Sequence, residues 1–117
     1  MSDKEYHDVE QHSRAELQRR LASTSSLVIC EALVSAAFHE TDWRWVQGQC
    51  LAFLSHGNPD VRGVAATCLG HLARIHHVLD ESVVRAALGS ALNDPLISGR
   101  AEDALDDMSI FLTKRSG

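Results

Sequence analysis

The sequence predicts an all-α fold of about three stacked helical hairpins. Three observations carry this: a composition poor in aromatic residues, helix caps placed ahead of apolar stripes, and an internal repeat. Aromatic residues make up 5% of the chain and there are two prolines among many Ala and Leu, whereas a sheet-rich fold draws on aromatic and β-branched residues. Hydrophobic residues are 44% and charged residues 23%, too apolar a balance for disorder. The 117 residues suit one core, because a second would have too little to bury.

Taken in order, residues 1–12 hold Asp3, Lys4, Glu5, Asp8 and Glu10 with little apolar content. They are expected as a flexible leader or loosely docked first turn, ahead of a single helical-repeat domain over 13–113. Ser13 and Glu16 have capping-box spacing, in which each side chain satisfies a free backbone N–H, and this predicts a first helix over 14–22. The polar turn Ser23, Thr24, Ser25, Ser26 leads into a second over 27–38, apolar on nearly every face and therefore buried. Thr41 and Asp42 can cap a third, whose stripe is Trp43, Val46, Cys50, Phe53 and Leu54 and which stops at Gly57. Asn58-Pro59 marks the fourth, since proline at the first helical position gives up an N–H that would be unpaired anyway. Its stripe is Val61, Val64, Ala65, Cys68, Leu69, Leu72 and Ile75, ending near His76 or His77; Asp80 then caps a fifth helix through Leu92.

Asp94-Pro95 repeats the start signal. Placing Asn58 on Asp94, an offset of 36 residues, aligns Val61 with Ile97, Gly63 with Gly99, Ala65 with Ala101, Leu69 with Leu105 and Leu72 with Met108. At the same offset Ala32, Leu33 and Ala37 fall on Cys68, Leu69 and Ala73. Hairpins over 13–38, 42–77 and 80–113 follow, a HEAT-like or armadillo-like α-solenoid, in which each hairpin buries its apolar face only by stacking. Gly48, Gly63, Gly70 and Gly89 lie inside these helices, each at a cost of up to about 1 kcal/mol relative to alanine, and close approach of helices accounts for them.

Charge and motifs narrow the function. Residues 80–107 hold seven acids against Arg85 and Arg100, which equals the net charge of −5; nucleic acid is not expected as a partner, because phosphate neutralisation needs a basic face. No stretch approaches a membrane span and the first ten residues are unlike a signal peptide, so the expected location is cytoplasmic with no membrane partner. Cys30, Cys50 and Cys68 lack the close pairs of a zinc site and read as reduced packing thiols. No catalytic frame, phosphate loop or cofactor motif is present, so no catalytic residue and no cofactor is assigned. His71 and His76 are five apart and do not share a helical face as paired metal ligands do; His76 and His77 suit the negative end of a helix instead. The cluster Glu102, Asp103, Asp106, Asp107 lacks a histidine at helical spacing and reads as a solvated acidic face, with no metal assigned.

The second helices of stacked hairpins usually line the concave side used for partners. Thr67, His71 and Arg74 occupy the polar side of the fourth helix, and Thr67 and His71 align with Asp103 and Asp107 of the sixth. Trp43 continues an apolar stripe, so Trp45, pointing about 200° away, is left either covered by a neighbouring hairpin or leader or exposed as an anchor. The expected partner-binding strip is Trp45, Thr67, His71, Arg74, Asp103, Asp106 and Asp107.

The stretch from Asp42 to Phe111 resembles small bacterial HEAT-like immunity proteins of polymorphic and contact-dependent growth inhibition toxin systems. The residues that carry the resemblance are Trp43-Arg44-Trp45-Val46-Gln47, Gly70-His71-Leu72-Ala73-Arg74-Ile75, Asp94-Pro95 and Ala101-Glu102-Asp103-Ala104-Leu105-Asp106-Asp107. The resemblance implies stoichiometric inhibition of a cognate toxin without catalysis, and many such toxin domains are basic nucleases, which suits the acidic third hairpin. A HEAT-like adaptor or scaffold in a larger assembly is the rival binding role. A metal-dependent hydrolase built on His71 and the acidic cluster is the enzymatic one, but it needs an ion that the sequence does not locate.

Overall fold

The structure is a computed structural model that describes residues 9–112. Among these, six helices account for all regular structure: α1 (Arg14–Leu21), α2 (Ser26–His39), α3 (Trp43–Phe53), α4 (Pro59–His76), α5 (Glu81–Ala91) and α6 (Ser98–Leu112). α2, α4 and α6 pack side by side, and α1, α3 and α5 each lie on the second helix of their own hairpin. The result is a two-layered helical-repeat stack.

The helices begin where short polar side chains satisfy their first N–H groups. The Ser13 hydroxyl accepts from the Glu16 N–H at 3.1 Å, Ser25 from Val28 at 3.3 Å, and Asp42 from Trp45 at 3.2 Å. Only half of the expected box at Ser13 forms, because the Glu16 carboxylate turns to Arg19 and Arg20. The Asn58 side chain accepts from the Asp60 N–H at 2.8 Å, and Asp94 repeats this bond with the Leu96 N–H at 3.0 Å. After Asp94, however, Ile97 donates back to the Asp94 carbonyl, an i to i+3 turn, so α6 becomes regular three residues later than α4. Asp80 precedes α5 as expected but makes no side-chain cap. Its carboxylate accepts from Gln47 Nε2 at 2.8 Å, and its N–H donates to Gln47 Oε1 at 2.8 Å. This pair satisfies a buried amide whose burial the stripes did not indicate.

Burial follows the repeat. Val61, Ala65, Cys68, Leu69 and Leu72 of α4 are buried, as are Ile97, Ala101, Ala104 and Met108 at the corresponding positions of the third hairpin and Ala32, Leu33 and Ala37 of α2. Several expectations fail. Leu27 is 67% exposed and Ile75 39% exposed, and Val64 and Leu105 are only partly buried, Leu105 because no further hairpin packs on α6 among the described residues. The glycines divide likewise: Gly63 and Gly70 face α6 at close range, while Gly48 and Gly89 have nothing within 4 Å of an added Cβ, so close approach accounts for the first two alone.

Of the leader, residues 1–8 lie outside the described residues. Beyond them the chain is tied to α2: Ser35 Oγ donates to the Glu10 carbonyl at 2.5 Å, and His39 Nε2 lies 2.7 Å from the Val9 carbonyl. At the far end of α4, His77 closes the helix in the left-handed region at φ 59°. Burial and the neighbouring His77 push the His76 pKa down, which favours the neutral ring over the partly charged one expected at a helix end.

Candidate partner-binding surface

The seam between α4 and α6 is set by two glycines seven residues apart, hence on one helical face. A Cβ on Gly63 would stand 2.9 Å from Arg100 Cδ, and one on Gly70 would stand 2.8 Å from Asp107 Oδ2 and 3.1 Å from Ala104 Cα. Arg100 crosses α4 over Gly63 and donates from Nη1 to Thr67 Oγ1 at 3.1 Å. Asp107 sits against Gly70.

Next to Gly70, the His71 ring lies 4.9 Å from that of Phe38 on α2, and Arg74 Nη2 donates to His71 Nδ1. Burial and the Arg74 charge lower the His71 pKa to about 4, so at neutral pH the ring is uncharged and can accept that bond. Burial raises the Asp107 pKa; Arg74 opposes the rise while Asp103 and Asp106 add to it. Glu102, Asp103 and Asp106 are exposed, and Asp103, Asp106, Asp107 and the exposed Ile110 share one face of α6 by their spacing.

The structure thus brings Thr67, His71, Arg74, Asp103, Asp106 and Asp107 to the α4–α6 face and leaves Trp45 apart. Trp45 is on α3, half-buried, with the Arg14 guanidinium 4.1 Å from its ring centroid. Arg14 also pairs with Glu40 at 3.0 Å and Asp42 at 3.1 Å, so this tryptophan is covered from α1. Phe38 and Arg100 were not singled out from the sequence. Phe38 could have been, since the 36-residue offset puts it on Arg74, and the Gly63 and Gly70 spacing marks a seam that some α6 side chain must cross.

Two other features are structural in character. Cys50 and Cys68 are fully buried and hydrogen-bonded to one another, which with burial pushes the Cys68 thiol well up and makes it a poor nucleophile. A groove of about 310 Å³ between α3 and α5 is lined by Leu51, Leu54, Ala87, Ala91 and Ile97 together with Ser55, Ser90 and Asp94. Asp94 there is paired with Arg62 at 3.0 Å. No group of three or more His, Cys, Asp or Glu among the described residues could hold a metal ion, and no helix among them is long and apolar enough to cross a membrane.

No protein-family profile matches the chain, and no curated protein does. A solved structure does: a chain of the crystal structure of the CDI complex from Cupriavidus taiwanensis LMG 19424. The two share 34% sequence identity with a TM-score of 0.83, over 89% of this chain and 94% of that one.

Proposed function

The chain belongs to the family of its counterpart in that CDI complex, CDI being contact-dependent growth inhibition, and we propose that it is the immunity protein of such a system and neutralises a cognate toxin by stoichiometric binding. The observation that carries this reading is the match itself, at 34% identity and nearly full length in both chains.

We assign the contact to the α4–α6 face, with Thr67, His71, Arg74, Asp103, Asp106 and Asp107 meeting a basic surface of the toxin domain. Trp45, covered by Arg14, is the weakest member of the strip. The support is chemical: exposed carboxylates on one face of α6, beside the repeat helices that such stacks use for partners. The reading is of a binding protein acting in the cytoplasm, with neither a reaction nor a nucleic acid contact of its own. Calorimetry against a cognate CDI toxin domain tests it. Binding near one to one is expected, weakened by about 2 kcal/mol or more in the Asp103→Ala, Asp107→Ala double variant, with the helical spectrum unchanged. An affinity unaltered by that change and by His71→Ala would move the site elsewhere.

A further inference from the structure

We propose that Gly70 and Arg74 are positioning residues for Asp107: the glycine leaves the space in which the carboxylate sits, and the arginine charge orients it, so that a lysine or arginine of the partner meets an anion already in place. This rests on the reading above that the α4–α6 face receives a cationic partner.

Gly70 is buried in mid-helix, where glycine is unfavourable relative to alanine, so its presence calls for a local cause. The cause is visible in two contacts of an added Cβ, 2.8 Å to Asp107 Oδ2 and 3.1 Å to Ala104 Cα on the α6 backbone. Any larger side chain would displace that oxygen. Arg74 is held in turn, because it donates to His71 Nδ1 and the His71 ring rests on Phe38, so its place is fixed from α2. Among the four acids of α6, Glu102, Asp103 and Asp106 are exposed and Asp107 alone is half-buried. A carboxylate withdrawn from water interacts more strongly with a charge at a given distance, and one already ordered loses less freedom on binding. Arg74 and Arg100, the latter held on Thr67, do not cancel the attraction, since Asp103, Asp106 and Asp107 outnumber them on this face.

The test is a double-mutant cycle measured by interferometry against a cognate CDI toxin domain. Gly70→Ala and Arg74→Gln are each expected to weaken binding about tenfold, chiefly through faster dissociation, and to have no further effect when Asp107→Asn is already present. NMR titration of the Asp107 carboxyl gives a readout independent of the partner: its raised pKa should fall toward the ordinary value in Gly70→Ala. Should Gly70→Ala fail to fold, the cycle between Arg74→Gln and Asp107→Asn decides. Wild-type binding with losses that are equal in both backgrounds, or with no loss at all, overturns the positioning role and leaves the neutralisation reading standing. A wild-type chain that does not bind the toxin overturns that reading and the partner half of this inference. An Asp107 pKa identical in wild type and Gly70→Ala overturns the seat itself.

Discussion

Truncating Leu69 to alanine is expected to separate the two helices that the repeat overlays. Leu69 is 0% exposed, so the change removes three carbons from the core, worth about 2.4 kcal/mol at about 0.8 kcal/mol for each. Neighbours on α4 are themselves packed and collapse only in part, and the residual cavity brings the loss to about 3–4 kcal/mol. Leu105, its counterpart on α6, is only partly buried, so it forfeits less on truncation and should cost about 1 kcal/mol. Urea titration followed by the fluorescence of Trp43 and Trp45 measures both. With a slope of about 1–3 kcal/mol per molar, the Leu69→Ala midpoint should drop by at least about 1 M while the slope stays unchanged. Equal losses at the two positions would refute the unequal burial of the pair. A loss under about 0.5 kcal/mol at Leu69 would refute the placement of the stripe.

Asn58→Ala removes the acceptor for the Asp60 N–H and should cost about 1 kcal/mol, whereas Asn58→Asp should be close to neutral; thermal melts compare them. His71 is held neutral in the fold, with its pKa lowered to about 4 from an unfolded value of 6.5. The unfolded chain therefore takes up a proton first as the pH falls, and stability is lost between about pH 6.5 and about pH 4. Urea midpoints collected across that range should slope less in His71→Gln than in wild type, and parallel slopes would count against it.

Much of this fold could be read from the sequence because caps and stripes are local. Asn58-Pro59 and Asp94 each place a side-chain oxygen on the N–H two residues later, and short-range chemistry of that kind is visible in a string of letters. What escaped reading depends on partners distant in the chain. Gln47 is polar yet buried, because Asp80, 33 positions away, matches both ends of its amide. Trp45 was open between a covered residue and an exposed anchor until Arg14, from another hairpin, came to lie over it. The candidate strip, whose contact with a partner is a proposal, was half legible as a surface: helical spacing grouped Thr67, His71 and Arg74, and the offset matched Thr67 and His71 to α6, but only packing distinguishes the half-buried Asp107 from its exposed neighbours.

The groove between α3 and α5 has a consequence in time rather than in shape. α5 buries only Val84 and Leu88 and meets α6 far more than α3, so beyond the Gln47–Asp80 pair at its start its ties to the rest run chiefly through one neighbour. A helix attached in that way can detach in a local opening at a free energy well below that of global unfolding. Amide hydrogens of α5 should accordingly exchange with solvent earlier than those of α4, whose buried face is shared with α2, α3 and α6. The Gly63 and Gly70 contacts lie on the other side of α6's attachments, so the outer helix can breathe while the acidic face stays assembled.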